Sequence, residues 1–203
     1  LVLMPKKWLV CSDENELEEP ESIEEKSVTI VDNNIYFYTE VSIKAIKELL
    51  LHIKEITKKN QIIGITYGIE EPPINLYINS EGGCLYSALS IIDIISSNKV
   101  HINTIISGVC MSAATLIFLS GHTRYMMRNS YMLIHNISSG FWGKMHEFED
   151  EMKNLTELTK KLKTIYKQNS NITKSQLDKI LKTDVLITAE NCLKYGLVDE
   201  IKN

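Results

Sequence analysis

The chain has 203 residues, 44% of them apolar and 24% charged, with 9 Gly and 4 Pro; that composition fits one globular domain and excludes disordered, collagenous and linker-rich architectures. Lys+Arg 22 against Asp+Glu 26 leave a formal net charge of -4, so no basic field draws a phosphate backbone, which argues against nucleic acid as a partner. The longest candidate membrane segment, over residues 113–119, is far below the roughly 18 apolar residues that a membrane span needs. The opening Leu-Val-Leu-Met-Pro-Lys-Lys-Trp has too short an apolar stretch, with its charges on the wrong side, for a secretory signal. A soluble protein without membrane contact is expected.

Residues 12–26 hold eight acidic side chains and few large apolar ones, which predicts a solvated, flexible arm over 1–26 ahead of a folded domain over 27–203. Ser-Val-Thr-Ile-Val from Ser27, then Asp32-Asn33-Asn34, then Ile35-Tyr-Phe-Tyr reads as strand, turn, strand. Ser42 is placed to cap a helix whose apolar positions Ile43, Ile46, Leu49, Leu50, Ile53 and Ile56 carry it to about residue 59. After a polar connection ending at Pro72-Pro73, Ile74-Asn-Leu-Tyr-Ile-Asn reads as a buried strand running into Ser80-Glu-Gly-Gly. A helix striped by Leu85, Ala88, Leu89, Ile92 and Ile95 follows, then a strand over 102–106, a turn at Ser107-Gly108, an apolar helix over 111–119 and a strand over 131–135. Strands alternating with helices of this length predict βαβ units and an α/β fold.

Over 144–169, Met145, Phe148, Met152, Leu155, Leu162 and Tyr166 keep heptad spacing against a charged opposite face. A helix of about seven turns exceeds what a domain of this size needs for its own core, so its apolar stripe predicts a partner surface, with packing on its own domain as the alternative. A last helix, capped by Thr173 or Ser175, ends near Leu181. The cysteines Cys11, Cys84, Cys110 and Cys192 are widely separated and form no C-x-x-C pair; the expectation is free thiols in a reducing compartment.

Three positions stand out together: Gly82-Gly83 at a strand end, Ser112 at a helix start and His135 at the end of a later strand. A serine hydroxyl needs an adjacent base to become a nucleophile, and free N–H groups at a helix N-terminus favour a developing anion. Gly83, lacking a side chain, lets its N–H approach a substrate carbonyl, and with the N–H of Ala113 it could form an oxyanion hole. His135 would be the general base, oriented by a carboxylate. Taken singly, Ser112 reads first as a helix cap, the diglycine as a tight turn and His135 as an ordinary surface or core residue. For the carboxylate, Asp178, Asp184 and Asp199 all remain open.

The order of these motifs is informative. Tyr77-Ile-Asn-Ser-Glu-Gly-Gly, Gly108-Val-Cys-Met-Ser-Ala-Ala, Met132-Leu-Ile-His and Tyr195-Gly-Leu-Val-Asp resemble the landmarks of the Clp protease proteolytic subunit (ClpP) family, from about residue 35 to 201. The resemblance implies a ClpP/crotonase α/β fold of repeated ββα units, with the helix over about 144–169 as a protruding handle. It implies serine endopeptidase chemistry with Ser112 as nucleophile, His135 as base, Asp184 as the orienting aspartate, and Gly83 and Ala113 as oxyanion-hole amides. Expected partners are further copies of the chain in two stacked heptameric rings, an AAA+ unfoldase and unfolded polypeptides, in the cytoplasm or an organelle lumen of equivalent origin. No metal or organic cofactor is expected, since ligand-spaced His/Cys clusters are absent; ATP is consumed by the unfoldase. Glu81 stands where the family usually has proline, Cys110-Met111 replace smaller residues, Ala113-Ala114 replace Met-Gly, and Asn136-Ile137 replace Gln-Pro. Residues 1–26 do not match the family's N-terminal loop. The rival readings are a non-catalytic ring subunit of the same fold and a crotonase-like acyl-CoA enzyme.

Overall fold

The computed structural model describes residues 27–203; the acidic arm expected over 1–26 and the thiol expected at Cys11 lie outside the described residues. Strands β1 (Val28–Val31) and β2 (Asn34–Phe37) form an antiparallel hairpin. Asp32 turns the corner at φ 56, a left-handed conformation that a short polar side chain tolerates.

Helix α1 (Ile43–Tyr67) starts where Ser42 Oγ accepts from the Ala45 N–H at 3.2 Å and ends at Gly68, in the left-handed conformation with its N–H on the Gly64 carbonyl. The helix therefore runs about two turns past the end expected near residue 59. Lys58-Lys-Asn-Gln reads as a polar break, yet Asn60 faces inward, fully buried, and its Nδ2 donates to the Pro72 carbonyl at 2.6 Å. A polar side chain anchored by one buried hydrogen bond can occupy a core position that the hydrophobic pattern reads as an end.

Strands β3 (Ile74–Ser80) and β4 (Ile102–Met111) lie parallel at the centre of the sheet, with α2 (Leu85–Ser96) and α3 (Ala113–Leu119) following them. Residues of β3 alternate strictly between buried Ile74, Leu76, Ile78 and half-buried Asn75, Tyr77, Asn79. The buried row joins Leu49 and Ile53 of α1, Ile91 and Ile95 of α2, and Ile117 and Phe118 of α3 in one apolar core. Each such side chain contributes about 1.5–3 kcal/mol relative to exposure.

The turn expected at Ser107-Gly108 is instead an irregularity inside β4, where its register with β3 shifts between the Ile78 and Ser80 pairings. Gly108, at φ 109, donates its N–H to Ser130 Oγ at 2.9 Å, while Val109 N–H reaches Asn79 Oδ1 at 3.0 Å. Side chains replace the missing ladder partners, so the strand kinks without ending. It continues to Met111, and α3 begins at Ala113 rather than at residue 111.

Beyond the kink β4 changes neighbours, from β5 (Thr123–Met127) to β6 (Tyr131–Leu133). Helix α4 (Met145–Gln168), helix α5 (Lys174–Ile180), β7 (Ile187–Thr188), α6 (Ala189–Lys194) and β8 (Glu200–Lys202) complete the chain. The main sheet has the order β1-β2-β3-β4-β5-β8, with β6 on β4 and β7 antiparallel to β6. Units of two strands and a helix recur as β1-β2-α1 and β5-β6-α4, with βα units between them. Thr173 rather than Ser175 caps α5, in a reciprocal pair with Gln176.

Along α4 only Leu162, Ile165 and Tyr166 are buried. Met145, Phe148 and Met152 stand 75%, 42% and 62% exposed, so the N-terminal half of α4 projects from the body as a handle. Cys110 and Cys192 are free and buried, as expected. Cys84, half-buried at the start of α2, departs from the expectation in being disulfide-bonded. No helix of the described residues is long and apolar enough to cross a membrane.

Candidate active site

The carboxyl ends of three neighbouring parallel strands supply the candidate residues, the edge at which open parallel sheets usually carry their sites. Ser80 at the end of β3 pairs with Cys110 of β4, and Met111 of β4 pairs with Leu133 of β6. The diglycine leaves β3, Ser112 leaves β4 and His135 follows β6 by two residues. These pairings bring the three to one edge.

Ser112 adopts φ 51 and ψ -127, a conformation that costs an L-residue on the order of 1–3 kcal/mol and persists only where its surroundings over-determine it. Three contacts do so here. The Ser112 N–H donates to the Leu133 carbonyl at 2.9 Å, and the Ser112 carbonyl accepts from the Thr115 N–H at 3.0 Å. Gly82 lies directly against it: a Cβ on Gly82 would stand 2.7 Å from the Ser112 Cβ. Although Ser112 occupies the cap position of α3, its side chain makes no capping hydrogen bond. The hydroxyl is thus not engaged in capping the helix.

Gly83, at φ 138, forms a single parallel bridge with Val41. In that bridge the Gly82 carbonyl accepts from the Val41 N–H at 2.7 Å, and the Cys84 N–H donates to the Val41 carbonyl at 2.7 Å. The flanking residues therefore make the bonds, and the N–H of Gly83 itself faces away from Val41. A side chain is impossible at Gly83, since its Cβ would stand 2.4 Å from the Val41 carbonyl oxygen. Ala113 is buried at the first turn of α3, where helix N–H groups have no intrahelical acceptor. Of the two amides that the resemblance picks out, that of Ala113 adjoins Ser112 and that of Gly83 follows Gly82, which packs against Ser112.

His135 presents Nδ1 to Asp184 Oδ1 at 3.4 Å, with the imidazole side chain 12% exposed and the carboxylate 78% exposed. Asp184 sits in the loop between α5 and β7, and β7 pairs with β6, so the sheet itself carries this loop to the histidine. The Asn136 N–H adds a bond to the Leu181 carbonyl at 3.2 Å. The two aspartates that sequence alone left open are committed elsewhere. Asp178 Oδ1 takes Lys163 Nζ at 2.7 Å. Asp199 takes Arg124 through Nε at 3.0 Å, Nη2 at 2.5 Å and the backbone N–H at 2.8 Å. Of the three, Asp184 alone meets the histidine.

Two side chains at the site were not foreseen. Thr115 donates from Oγ1 to the Ser112 carbonyl at 2.5 Å, and the Tyr166 hydroxyl of α4 lies 2.5 Å from that same Oγ1. Both read in sequence as unremarkable members of apolar helical stripes, and no local pattern marks a contact between residues so far apart.

The family model described as Clp protease matches residues 32–203. The chain is 32% identical over 133 residues to the ATP-dependent Clp protease proteolytic subunit of Deinococcus radiodurans, a match that covers 64% of this chain and 65% of that relative. With the match extending over nearly all the described residues, the chain belongs to the Clp protease family.

Proposed function

We propose that this chain is a serine endopeptidase, the proteolytic subunit of an ATP-dependent Clp-type protease that cleaves unfolded polypeptides. The observation that carries the reading is the convergence of a strained, uncapped Ser112, a paired His135 and Asp184, and the Gly83 and Ala113 amides at one sheet edge. Ser112 Oγ attacks the scissile carbonyl as its proton passes to His135. Because Nδ1 faces Asp184, Nε2 is the nitrogen that accepts it. The Gly83 and Ala113 N–H groups hold the oxyanion, and His135 returns the proton to the leaving amine as the C–N bond breaks. Water, deprotonated by the same imidazole, then hydrolyses the acyl-serine and restores the enzyme. Every group in this cycle belongs to the chain, so it needs no metal or organic cofactor; ATP serves the unfolding partner.

The assembly we propose is two stacked heptameric rings, docked to an AAA+ unfoldase, in the cytoplasm or an organelle lumen of equivalent origin. Support for self-association comes from Met145, Phe148 and Met152, an apolar row on a projecting helix that a monomer leaves in water. A non-catalytic ring subunit is the second reading, favoured by the long His135–Asp184 contact and the exposure of the carboxylate. Hydrolysis of a fluorogenic peptide by the purified protein, compared with Ser112→Ala, separates the two. A loss of at least about 10³-fold supports the peptidase, and turnover that survives Ser112→Ala removes the assignment.

A further inference from the structure

Tyr166 is a buried phenol that the proposed cycle does not use. It lies at the end of α4 that packs on the body, and its hydroxyl meets Thr115 Oγ1 at 2.5 Å. Thr115 Oγ1 in turn donates to the Ser112 carbonyl at 2.5 Å. A threonine hydroxyl has one proton, and here it goes to that carbonyl, so the Tyr166 O–H is the donor to Thr115. Burial pushes the Tyr166 phenol well above its ordinary value, opposed only in part by the Thr115 bond, so that donor keeps its proton at any pH where the protein works.

The carbonyl of Ser112 and the N–H of Ala113 belong to one rigid peptide plane and point in opposite directions. Whatever holds the carbonyl therefore aims the N–H. Turned over, the same peptide would present an oxygen, not a donor, to a developing oxyanion. The backbone bond from Thr115 N–H at 3.0 Å leaves room for a second donor on that oxygen, and the hydroxyl pair fills it.

We infer that Thr115 and Tyr166 are positioning residues for the oxyanion hole: their hydroxyl relay holds the Ser112–Ala113 peptide in its strained orientation and ties it to helix α4. The inference rests on the reading of Ser112 as nucleophile and Ala113 as oxyanion donor. It goes beyond that reading by making a residue of the handle helix, which touches no reacting atom, a determinant of transition-state binding. A displacement of α4 reaches the Ala113 N–H through two hydroxyl groups.

The test uses the full chain with Tyr166→Phe, Thr115→Val, Thr115→Ser, the Phe/Val double variant and Ser112→Ala. For each, kcat and KM on a fluorogenic peptide are measured with the rate of fluorophosphonate labelling. Loss of an entire oxyanion donor costs about 10²–10³-fold in kcat, so misaiming it should cost about 10–100-fold in Thr115→Val and about 3–10-fold in Tyr166→Phe. KM should stay within about two-fold, because an interaction made only in the transition state leaves ground-state binding alone. Thr115→Ser keeps the hydroxyl and should approach the parent; the double variant should be no slower than Thr115→Val, since one relay is broken once. If Thr115→Val does not fold, Tyr166→Phe, which removes a single oxygen atom, decides alone. A kcat within about two-fold of the parent in the hydroxyl-deleted variants, whatever their thermal stability, overturns the relay while Ser112→Ala remains inactive. A parent protein that is not labelled at Ser112 removes the nucleophile reading and the relay together.

Discussion

Replacing Gly82 by alanine tests how closely the diglycine and the nucleophile fit. The new Cβ would stand 2.7 Å from the Ser112 Cβ, 2.8 Å from the Met111 carbonyl oxygen and 3.3 Å from the Ala113 nitrogen, at a φ of +100°. Ordinary contact begins near 3.4 Å, so Ser112 or the Gly82 loop must retreat by roughly 0.7 Å, in a region where backbone on both sides leaves no flexible group to yield. The φ alone costs an L-residue on the order of 1–3 kcal/mol, which for a domain of this size lowers Tm by about 2–4 °C per kcal/mol. A reacting atom misplaced by about 1 Å can lose about 10²-fold in rate. Gly82→Ala should therefore cut peptide hydrolysis by about 10²-fold while the protein still folds, with a Tm lower by several degrees. Gly68→Ala is the control: it shares a positive φ, +65°, but has nothing within 4 Å of the added Cβ, so it should lose stability and keep turnover. Gly82→Ala hydrolysing peptide within about three-fold of the parent would refute the close packing of the diglycine on the nucleophile.

Asp184→Asn should keep the fold, since the carboxylate is 78% exposed, and lose at least about 10²-fold in kcat through the wrong imidazole tautomer; unchanged kcat would show that the aspartate does not orient His135. Phe148→Lys with Met152→Lys should leave the helical circular dichroism intact and shrink the particle seen by light scattering, because charges placed in a buried interface cost several kcal/mol; an unaltered particle would show that the row does not mediate association. At Asp199, burial works to raise the carboxyl and the Arg124 hydrogen bonds and charge more than offset it, so the net shift is downward from 3.8. A lowered native value contributes stability that is present above 3.8 and lost as pH falls through the lower native value; Asp199→Asn should flatten that acid limb of a Tm–pH curve, and an unchanged limb would refute the assignment. Burial pushes the Cys110 thiol far up and the Cys192 thiol to about 12, so neither should react with a thiol-specific reagent until the protein is denatured. Rapid native labelling of either would contradict their enclosure.

The central α/β units were legible because their signals are local and redundant. Ser42 caps α1 as its sequence suggests, and the alternation from Ile74 to Ser80 delivers a strand with one buried row. What escaped was decided by tertiary contact. Asn60 looks like a helix end and is instead a core amide that donates to the Pro72 carbonyl. Ser107-Gly108 looks like a turn, but Asn79 and Ser130 supply the bonds that let β4 kink and continue. Strands of two or three residues such as β7 and β8 are too short to show a period and exist only through their pairing partners. At the candidate site, the residue types around Gly83, Ser112 and His135 could be read from motif order, whereas the choice among Asp178, Asp184 and Asp199 needed the resemblance, because a lone aspartate carries no spacing. The structure separates the three by their cations: Lys163 holds the first and Arg124 the last. Thr115 and Tyr166 were invisible for a different reason, since hydroxyls within apolar stripes acquire meaning only when α3 and α4 pack together.

Peptide hydrolysis by this chain requires Ser112 to be an activated nucleophile, and covalent labelling reads that directly. The purified chain, treated with a fluorophosphonate and mapped by mass spectrometry, should carry one adduct, on the peptide containing Ser112, with no adduct in Ser112→Ala and a strongly reduced rate in His135→Ala. A protein that stays unmodified, or is modified at another serine with Ser112 untouched, would contradict it.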